Sequence, residues 1–484
     1  MILSSIFKSS TTTTTTSSLI RSSNLIYRSL STLNLVNSQS QPSSSSSSSF
    51  TPSTLSSSSS SSSFSIYRRL YSSTPTPIID YTKIIPKEGN IPTSILEKRG
   101  RSLHNRIDHP LSVIKKKIHY HFKEIVEADG KTITRFNFYD NFDSKVTSKQ
   151  NFDDLLFPND HIGRSPNDTY YFDENTLLRT HTSAHQMELL LKKNPKDTAF
   201  LVTGDVYRRD TIDSVHYPVF HQMEGVQTFT LPNSSETPFK FNPNNDYYND
   251  GQYAMDSNIQ FVEKHLKSTL ESMIRSVIGT NLEVRWIDAY FPFTAPSWEM
   301  EILFQGRWLE VLGCGVVHPG ILNAAGRSDE YAWAFGIGLE RLAMILFDIP
   351  DIRLFWTEDD RFHRQFKGVD KKPEEITNID ISKTRFQPYS KFPSCFKDIT
   401  FWLPQQKDLF HENHLYEFLR GEAGDLIEDV QLIDTFVHPK TGLTSQCYRI
   451  NYRSMERNLT NEEIDLQMSN IRSKIENKLN IKLR

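Results

Sequence analysis

Residues 282–290, 299–304 and 308–317 read as three strands in close succession, and the breaks between them are too short to hold a crossover. Strands joined by short turns run antiparallel, because a parallel partner needs a connection of a dozen residues or more. Two further strand-like runs, 199–203 and 220–231, precede them. Helices are placed around these runs by 3.6-residue spacing. One opens at Asp108-His109-Pro110, with a capping residue and an early proline, and continues through Ile114, Ile118 and Phe122. A second begins near Ser183. A third carries the stripe Ile259, Val262, Leu266, Leu270, Met273 and Val277, which is core. A fourth starts near Phe335 and continues through Leu339, Leu342, Ala343, Ile345 and Leu346. The expectation is an α+β fold, an antiparallel sheet flanked by helices. No GxGxxG or GxxxxGK(S/T) follows a strand, so the usual glycine-rich phosphate cradles are missing.

The beginning of the chain cannot contribute to such a core. Residues 1–79 contain Lys8, Arg21, Arg28, Arg68 and Arg69 but no acid, with serine runs at 44–49 and 56–63. Low-complexity tails share that serine content, but the acid-free, arginine-dotted composition is that of a mitochondrial import leader. A secretory signal is disfavoured because no continuous apolar region of adequate length is present. Arg68-Arg69 stands just before a plausible processing site, so residues 1–73 are expected to be the leader. Removing those five positive charges takes the net charge from −3 to about −8, so RNA contacts must come from local basic patches. Cys314, Cys395 and Cys447 lie far apart with no CxxC pair, which argues against zinc and against a disulfide framework. No apolar run approaches the ~20 residues of a membrane span, so no membrane association is expected.

After an N-terminal extension (74–107), the main domain is expected over 108–355, with a polar surface insertion at 232–252. Residues 356–389 read as a charged, proline-broken linker. The last segment, 390–484, runs strand (398–403), helix (413–420), strand (430–436), strand (445–452), helix (461–479). That order is close to the split βαβ, ferredoxin-like plan of a small α/β sandwich.

Four clusters carry the chemistry. They are Arg179-Thr180-His181-Thr182-Ser183-Ala184-His185-Gln186; Gly204 to Asp210 with Phe220-His221-Gln222-Met223-Glu224-Gly225; Tyr290-Phe291-Pro292-Phe293; and Phe335-Gly336-Ile337-Gly338-Leu339-Glu340-Arg341-Leu342. In this order and spacing they resemble the catalytic chain of class II phenylalanyl-tRNA synthetases, in its mitochondrial single-chain form, from about residue 100 to the C-terminus. The resemblance implies a class II synthetase core and a ferredoxin-fold anticodon-binding domain at 390–484. It further implies ATP and phenylalanine as substrates, tRNA(Phe) as partner, Mg²⁺ as cofactor, a monomer, and the mitochondrial matrix as location. Activation displaces pyrophosphate at the α-phosphate of ATP and needs no side-chain nucleophile, so positioning and charge neutralisation carry it. By resemblance Arg208 grips the α-phosphate through its planar fork, and Arg341 meets adenine or the far phosphates. Val215, His216 and Tyr217 line the loop that faces the triphosphate. Glu310 holds Mg²⁺ or the ribose. Gln222, Met223 and Glu224 belong to the amino-acid pocket, with Gln222 and Glu224 at the substrate ammonium and His181, Ser183, Ala184, His185 and Gln186 beside them. Phe291 and Phe293 clamp the ring from one strand face, and Ala334 and Phe335 close the far end of the slot. In the last domain Arg449, Arg453 and Arg457 are expected phosphate contacts.

Each residue alone has a plainer role: core for Phe291 and Phe293, structural histidines for His181 and His185, a solvated turn for Arg208 and Arg209. Two departures from the family pattern stand out. Asp210 replaces the usual glutamate of the second motif, and the stretch 138–146 lacks the proline that ends the dimer-forming first motif. A class II ligase for another amino acid is the rival among enzymes, and the Phe-Pro-Phe run and the Gln222/Glu224 pair oppose it. A non-catalytic RNA-binding protein on a retired synthetase fold is the rival outside enzymes; Arg208, Glu310 and Arg341, all present, oppose that. Activation is expected to reside in the main domain alone, so that deleting 390–484 would spare it.

Overall fold

The computed structural model describes residues 79–127, 130–192, 198–231, 256–369, 384–388, 392–406 and 409–484. The expected leader, the insertion at 232–252 and the middle of the linker lie outside the described residues. A seven-stranded sheet comprises β1 (Asn137–Tyr139), β2 (Ala199–Tyr207), β3 (Val219–Phe229), β4 (Val284–Phe291), β5 (Thr294–Phe304), β6 (Arg307–Val317) and β7 (Tyr331–Gly338). Their spatial order is β1-β2-β3-β7-β6-β5-β4. All neighbours are antiparallel except β1, which runs parallel to β2.

Helices α1 (Pro110–Phe122), α2 (Ser257–Ile278) and α3 (Leu339–Phe347) cover one face of the sheet. The sequence supplies their ends. Pro110 occupies the first turn of α1, and His109 caps it by accepting the Leu111 amide at 3.3 Å. Asp108 does not cap this helix; at a φ of 59° it accepts the Gly368 amide at 2.8 Å. Asp256 caps α2, accepting from Asn258 and Ile259, and the stripe Ile259 to Val277 is buried as expected. The expected helix from Phe335 is a correction. Residues 331–338 are strand β7, paired between β3 and β6, and the helix begins only at Leu339. Ala332, Trp333, Ala334 and Phe335 are all buried, so this central strand shows no alternation, and the only periodicity visible in the sequence belongs to the helix behind it.

The pleat gives the sheet two unlike faces. Met223, Trp298, Met300, Ile302, Cys314, Trp333, Phe335 and Ile337 point into the helical layer. Alternate positions put Gln222, Glu224, Ala334, Gly336, Gly313, Gly315, Glu299 and Glu310 on the other face. Residues 390–484 contain β8 (Cys395–Trp402), α4 (Glu412–Ala423), β9 (Ile427–Val437), β10 (Thr444–Tyr452), α5 (Asn461–Leu479) and β11 (Lys482–Leu483), with sheet order β9-β10-β8-β11. Leu415, Leu419, Ile464, Met468, Ile471 and Ile475 from the two helices bury one face of that sheet through Ile399, Phe401, Tyr448 and Ile450. This is the ferredoxin-like order, completed by the short β11. Among the described residues no helix is long and apolar enough to cross a membrane.

Candidate active site

The polar floor of the site lies on β3. Glu224 is 1 % exposed, and neither carboxylate oxygen has a geometrically sound hydrogen bond. Burial pushes its carboxyl up to about 8, offset only in part by Ser183. Gln222, two residues away on the same face, accepts the Thr182 amide at 3.2 Å. His181 leaves both ring nitrogens without a hydrogen-bond partner, and burial, with help from Arg208, drives it down to about 3, so the ring is neutral. Gln186 is fully buried with its amide likewise unspent. Buried polar groups are ordinarily paired, so several unspent donors and acceptors in one place mark a site built for a polar ligand.

Glycine opens the space above that floor. In register, Gly338 lies opposite Gln222, and Gly336 opposite Glu224 on one side and Gly313 on the other. A Cβ on Gly313 would sit 2.7 Å from Cζ of Phe291, so the ring occupies the volume that a side chain would take. Phe291 ends β4, whereas Phe293 lies in the turn after it; the expectation that both share one strand face is corrected. Their rings nonetheless stack, with centroids 6.0 Å apart. The stack continues to Phe157 at 5.9 Å and from Phe157 to His181 at 5.7 Å. Phe157 was missed in the sequence, where it sits in an acidic loop without periodicity. Ala334, buried beside Val226 and Ala184, borders the same layer.

The charged rim lies toward β2 and α3. Arg208 donates through Nε to the Thr180 carbonyl at 2.8 Å, and its guanidinium lies 5.2 Å over the Phe220 ring. Phe220 shares the face of Gln222 and Glu224, a flat aromatic surface that the sequence reading did not single out. Arg341 donates to the Glu310 carbonyl at 3.0 Å and lies 4.0 Å from its carboxylate. Burial raises the Glu310 carboxyl, opposed by Arg341 and Arg208. Burial and the neighbouring Glu310 and Glu301 raise Glu299 to about 7. These crowded carboxylates suit a hard cation, although among the described residues no three ligands converge to hold one unaided. His216 is oriented by Asp213, whose carboxylate takes its Nδ1 at 2.7 Å and the amides of residues 215 and 216. Val215 is exposed beside it.

Several expected ligands turn elsewhere. Met223 and Phe335 point into the helical layer, where Phe335 stacks on Phe122 at 5.5 Å; odd and even strand positions face opposite ways. The Tyr217 hydroxyl donates to Asp425 at 2.9 Å, and its ring stacks on Trp356. His185 is spent between Arg179 at 2.8 Å and Glu188 at 2.6 Å, and Ala184 is core. Glu340, whose role the motif left open, takes the His221 amide and Nδ1 and so locks α3 to β3 next to Gln222. Asp210 turns its shorter carboxylate to its own loop, accepting the Thr211 amide at 2.7 Å. A cavity of about 500 Å³ near Arg99, His104 and Asp140 meets the motif clusters only at Arg179 and Asp205. In the last domain Arg449 lies 4.1 Å over the exposed Phe396 and pairs with Asp398 at 2.9 Å. Arg453 pairs with Glu428 and Arg457 with Glu463, so each of the three arginines is already matched by a carboxylate.

Known proteins share this construction. The family model for tRNA synthetases class II core domain (F) matches residues 106–230 and 246–366, and that for the ferredoxin-fold anticodon binding domain matches 390–484. The mitochondrial phenylalanine–tRNA ligase of Dictyostelium discoideum is 60% identical over 422 residues, covering 84% of this chain and 91% of that protein. The chloroplastic/mitochondrial phenylalanine–tRNA ligase of Arabidopsis thaliana is 49% identical, with 82% of each chain covered. The mitochondrial enzyme of Saccharomyces cerevisiae is 40% identical, covering 86% of this chain and 97% of its own. By these matches the chain belongs to the phenylalanine–tRNA ligases, class II synthetases that carry a ferredoxin-fold anticodon-binding domain.

Proposed function

We propose that this cleft activates phenylalanine with ATP and that the same chain then transfers the phenylalanyl group to the 3′-terminal ribose of tRNA(Phe). The carrying observation is the buried, unpartnered Glu224 carboxyl beneath an aromatic slot. Such a group is costly unless a ligand supplies its counter-charge, and the ammonium of an amino acid does so. Phe291, Phe293 and Phe157 receive the ring; Gln222, Ser183, His181 and Gln186 orient the polar end. Arg208 takes the α-phosphate, Phe220 offers its face to the base, and Arg341 and His216 meet the outer phosphates. Glu310 and Glu299 would hold Mg²⁺, which when bound neutralises phosphate charge. All of these contribute by placement, since no covalent enzyme intermediate is required.

The segment 140–144, which follows β1, is engaged by α1 and by the chain's own extension. Lys115 pairs with Asp140 at 2.8 Å, Asn105 donates to the Asp140 carbonyl, and Arg99 pairs with Asp143. That supports action as a monomer. Residues 1–73 serve as the import leader, the ligase works in the mitochondrial matrix, and 390–484 reads the anticodon end of tRNA through a face that includes Arg449 and Phe396. The test is ATP–pyrophosphate exchange with a panel of amino acids. Phenylalanine is expected to support exchange above all others; a preference for another amino acid, or none, overturns the proposal.

A further inference from the structure

The segment joining β2 to β3, residues 208–218, brings Arg208 and His216 to the rim of the site yet has no regular structure of its own. A loop of this kind ordinarily satisfies its backbone in water and keeps the mobility that goes with it. Here four consecutive carbonyls, those of residues 209 to 212, accept from the C-terminal domain. Asn413 donates to the Arg209 carbonyl at 3.2 Å. One guanidinium nitrogen of Arg420 donates to the carbonyls of both Asp210 and Thr211. The Val430 amide donates to the Ile212 carbonyl at 3.1 Å. The Ile212 side chain is 7 % exposed and packs into the hydrophobic core of that domain, not of its own. Arg420 is itself held: its other terminal nitrogen donates to Glu417 at 2.8 Å, and the same carboxylate oxygen accepts from the buried Tyr170 hydroxyl at 2.8 Å. Farther along the loop, Tyr217 reaches Asp425.

From this we infer that the C-terminal domain is a working part of the adenylation site, with Arg420 and Asn413 as positioning residues for the loop that carries Arg208 and His216. The inference rests on the phosphate-binding reading of that loop. Domains that are merely docked meet through surface side chains. A guanidinium that spans two adjacent carbonyls, with a neighbour on either side, instead sets the path of the backbone residue by residue. Arg208 immediately precedes that run and His216 follows it by four residues, so slack in the carbonyl clamp reaches both. Misplacement of a positioning group by about 1 Å can cost ~10²-fold in rate. The expectation that deleting 390–484 would spare activation therefore changes sign: deletion unseats Ile212 and removes all three donors.

The experiment uses the full chain with Arg420→Gln, and Asn413→Ala as the milder variant in case the first does not fold. Phenylalanine-dependent ATP–pyrophosphate exchange is measured with ATP and phenylalanine titrated separately, alongside the heat-unfolding midpoint. The expected result is a ~10-fold or greater loss in kcat/KM for ATP in Arg420→Gln, and a smaller loss in Asn413→Ala, with KM for phenylalanine within two-fold of wild type. Arg420→Lys, whose single ammonium can reach the carbonyls but lacks the second nitrogen that Glu417 holds in place, is expected to fall between. Exchange within two-fold of wild type in Asn413→Ala and in every folded Arg420 variant overturns the inference. So does a parallel loss for both substrates that merely tracks a fall in stability. Each variant is read against wild-type exchange, so failure of the inference leaves the phenylalanine-activating function standing.

Discussion

Glu224 concentrates the conflict between stability and function in one side chain. Its folded-state carboxyl titrates near 8 because of burial, against an ordinary value of 4.5. Between those values the folded protein binds more protons than the unfolded chain, so this group makes stability fall as pH rises through that window. Glu224→Gln removes the titration at nearly constant shape. The variant is expected to gain in unfolding midpoint over wild type, with a gap that widens from pH 5 to pH 8, while losing phenylalanine-dependent exchange. Thermal scans across that range check it; a gap independent of pH would mean that Glu224 is not the buried acid described. At the other end of the slot Ala334 supplies one methyl. An apolar pocket rejects an added hydroxyl by only ~10²-fold, so much of the discrimination against larger rings is steric. Ala334→Gly is expected to raise the ratio of kcat/KM for para-chlorophenylalanine to that for phenylalanine. Tyrosine should gain less, because its hydroxyl would still lack a partner. An unchanged ratio would move the wall elsewhere.

At the scale of elements, two glycines on the two faces of the sheet separate packing from binding. A Cβ on Gly225 of β3 would lie 2.2 Å from Phe335 and 2.7 Å from Leu201 in the helical layer. Phe335 is stacked on Phe122 and cannot yield, so Gly225→Ala is expected to cost about 1–3 kcal/mol by overpacking. The unfolding midpoint should drop by several degrees, with little change in KM for phenylalanine among the molecules that remain folded. Gly313→Ala faces the other way and displaces the Phe291 ring instead. There KM for phenylalanine should rise ~10-fold, the order of a misfitted methyl group in an apolar pocket, with KM for ATP nearly unchanged. Separate ATP and phenylalanine titrations with a melting curve distinguish the two; the same pattern from both variants would contradict the two-faced sheet.

On the scale of the whole molecule, the proposed leader at 1–73 would act through charge and composition. Residues 1–73 carry five basic side chains and no acid. Fused to a fluorescent reporter, they are expected to direct it to mitochondria, and changing Arg68 and Arg69 should shift the processed product. A reporter that stays in the cytosol would refute the leader. The body instead binds its parts together: Arg353 donates to the carbonyls of Asp425 and Arg453, and Asn413 and Arg420 reach back to the loop after β2.

What was legible from sequence was whatever depends on neighbours along the chain. Strands β4 to β6, the stripe of α2 and the order of elements in the last domain are set by local pattern, and the motifs by their spacing pointed to Arg208, Gln222, Glu224 and Arg341. The strand β7 was not legible, because a strand buried on both faces loses the alternation that reveals it. Nor was the inward turn of Met223 and Phe335, since a motif names residues without saying which face of a strand they occupy, nor the turn of the loop residue Tyr217 toward Asp425. Phe157 and Phe220 entered the site, and Arg420 the loop behind it, only through contacts between segments far apart in the chain. Arg420 reaches Asp210 across 210 residues of sequence. No local pattern encodes such a contact; the packing of one domain's core around Ile212 of the other decides it.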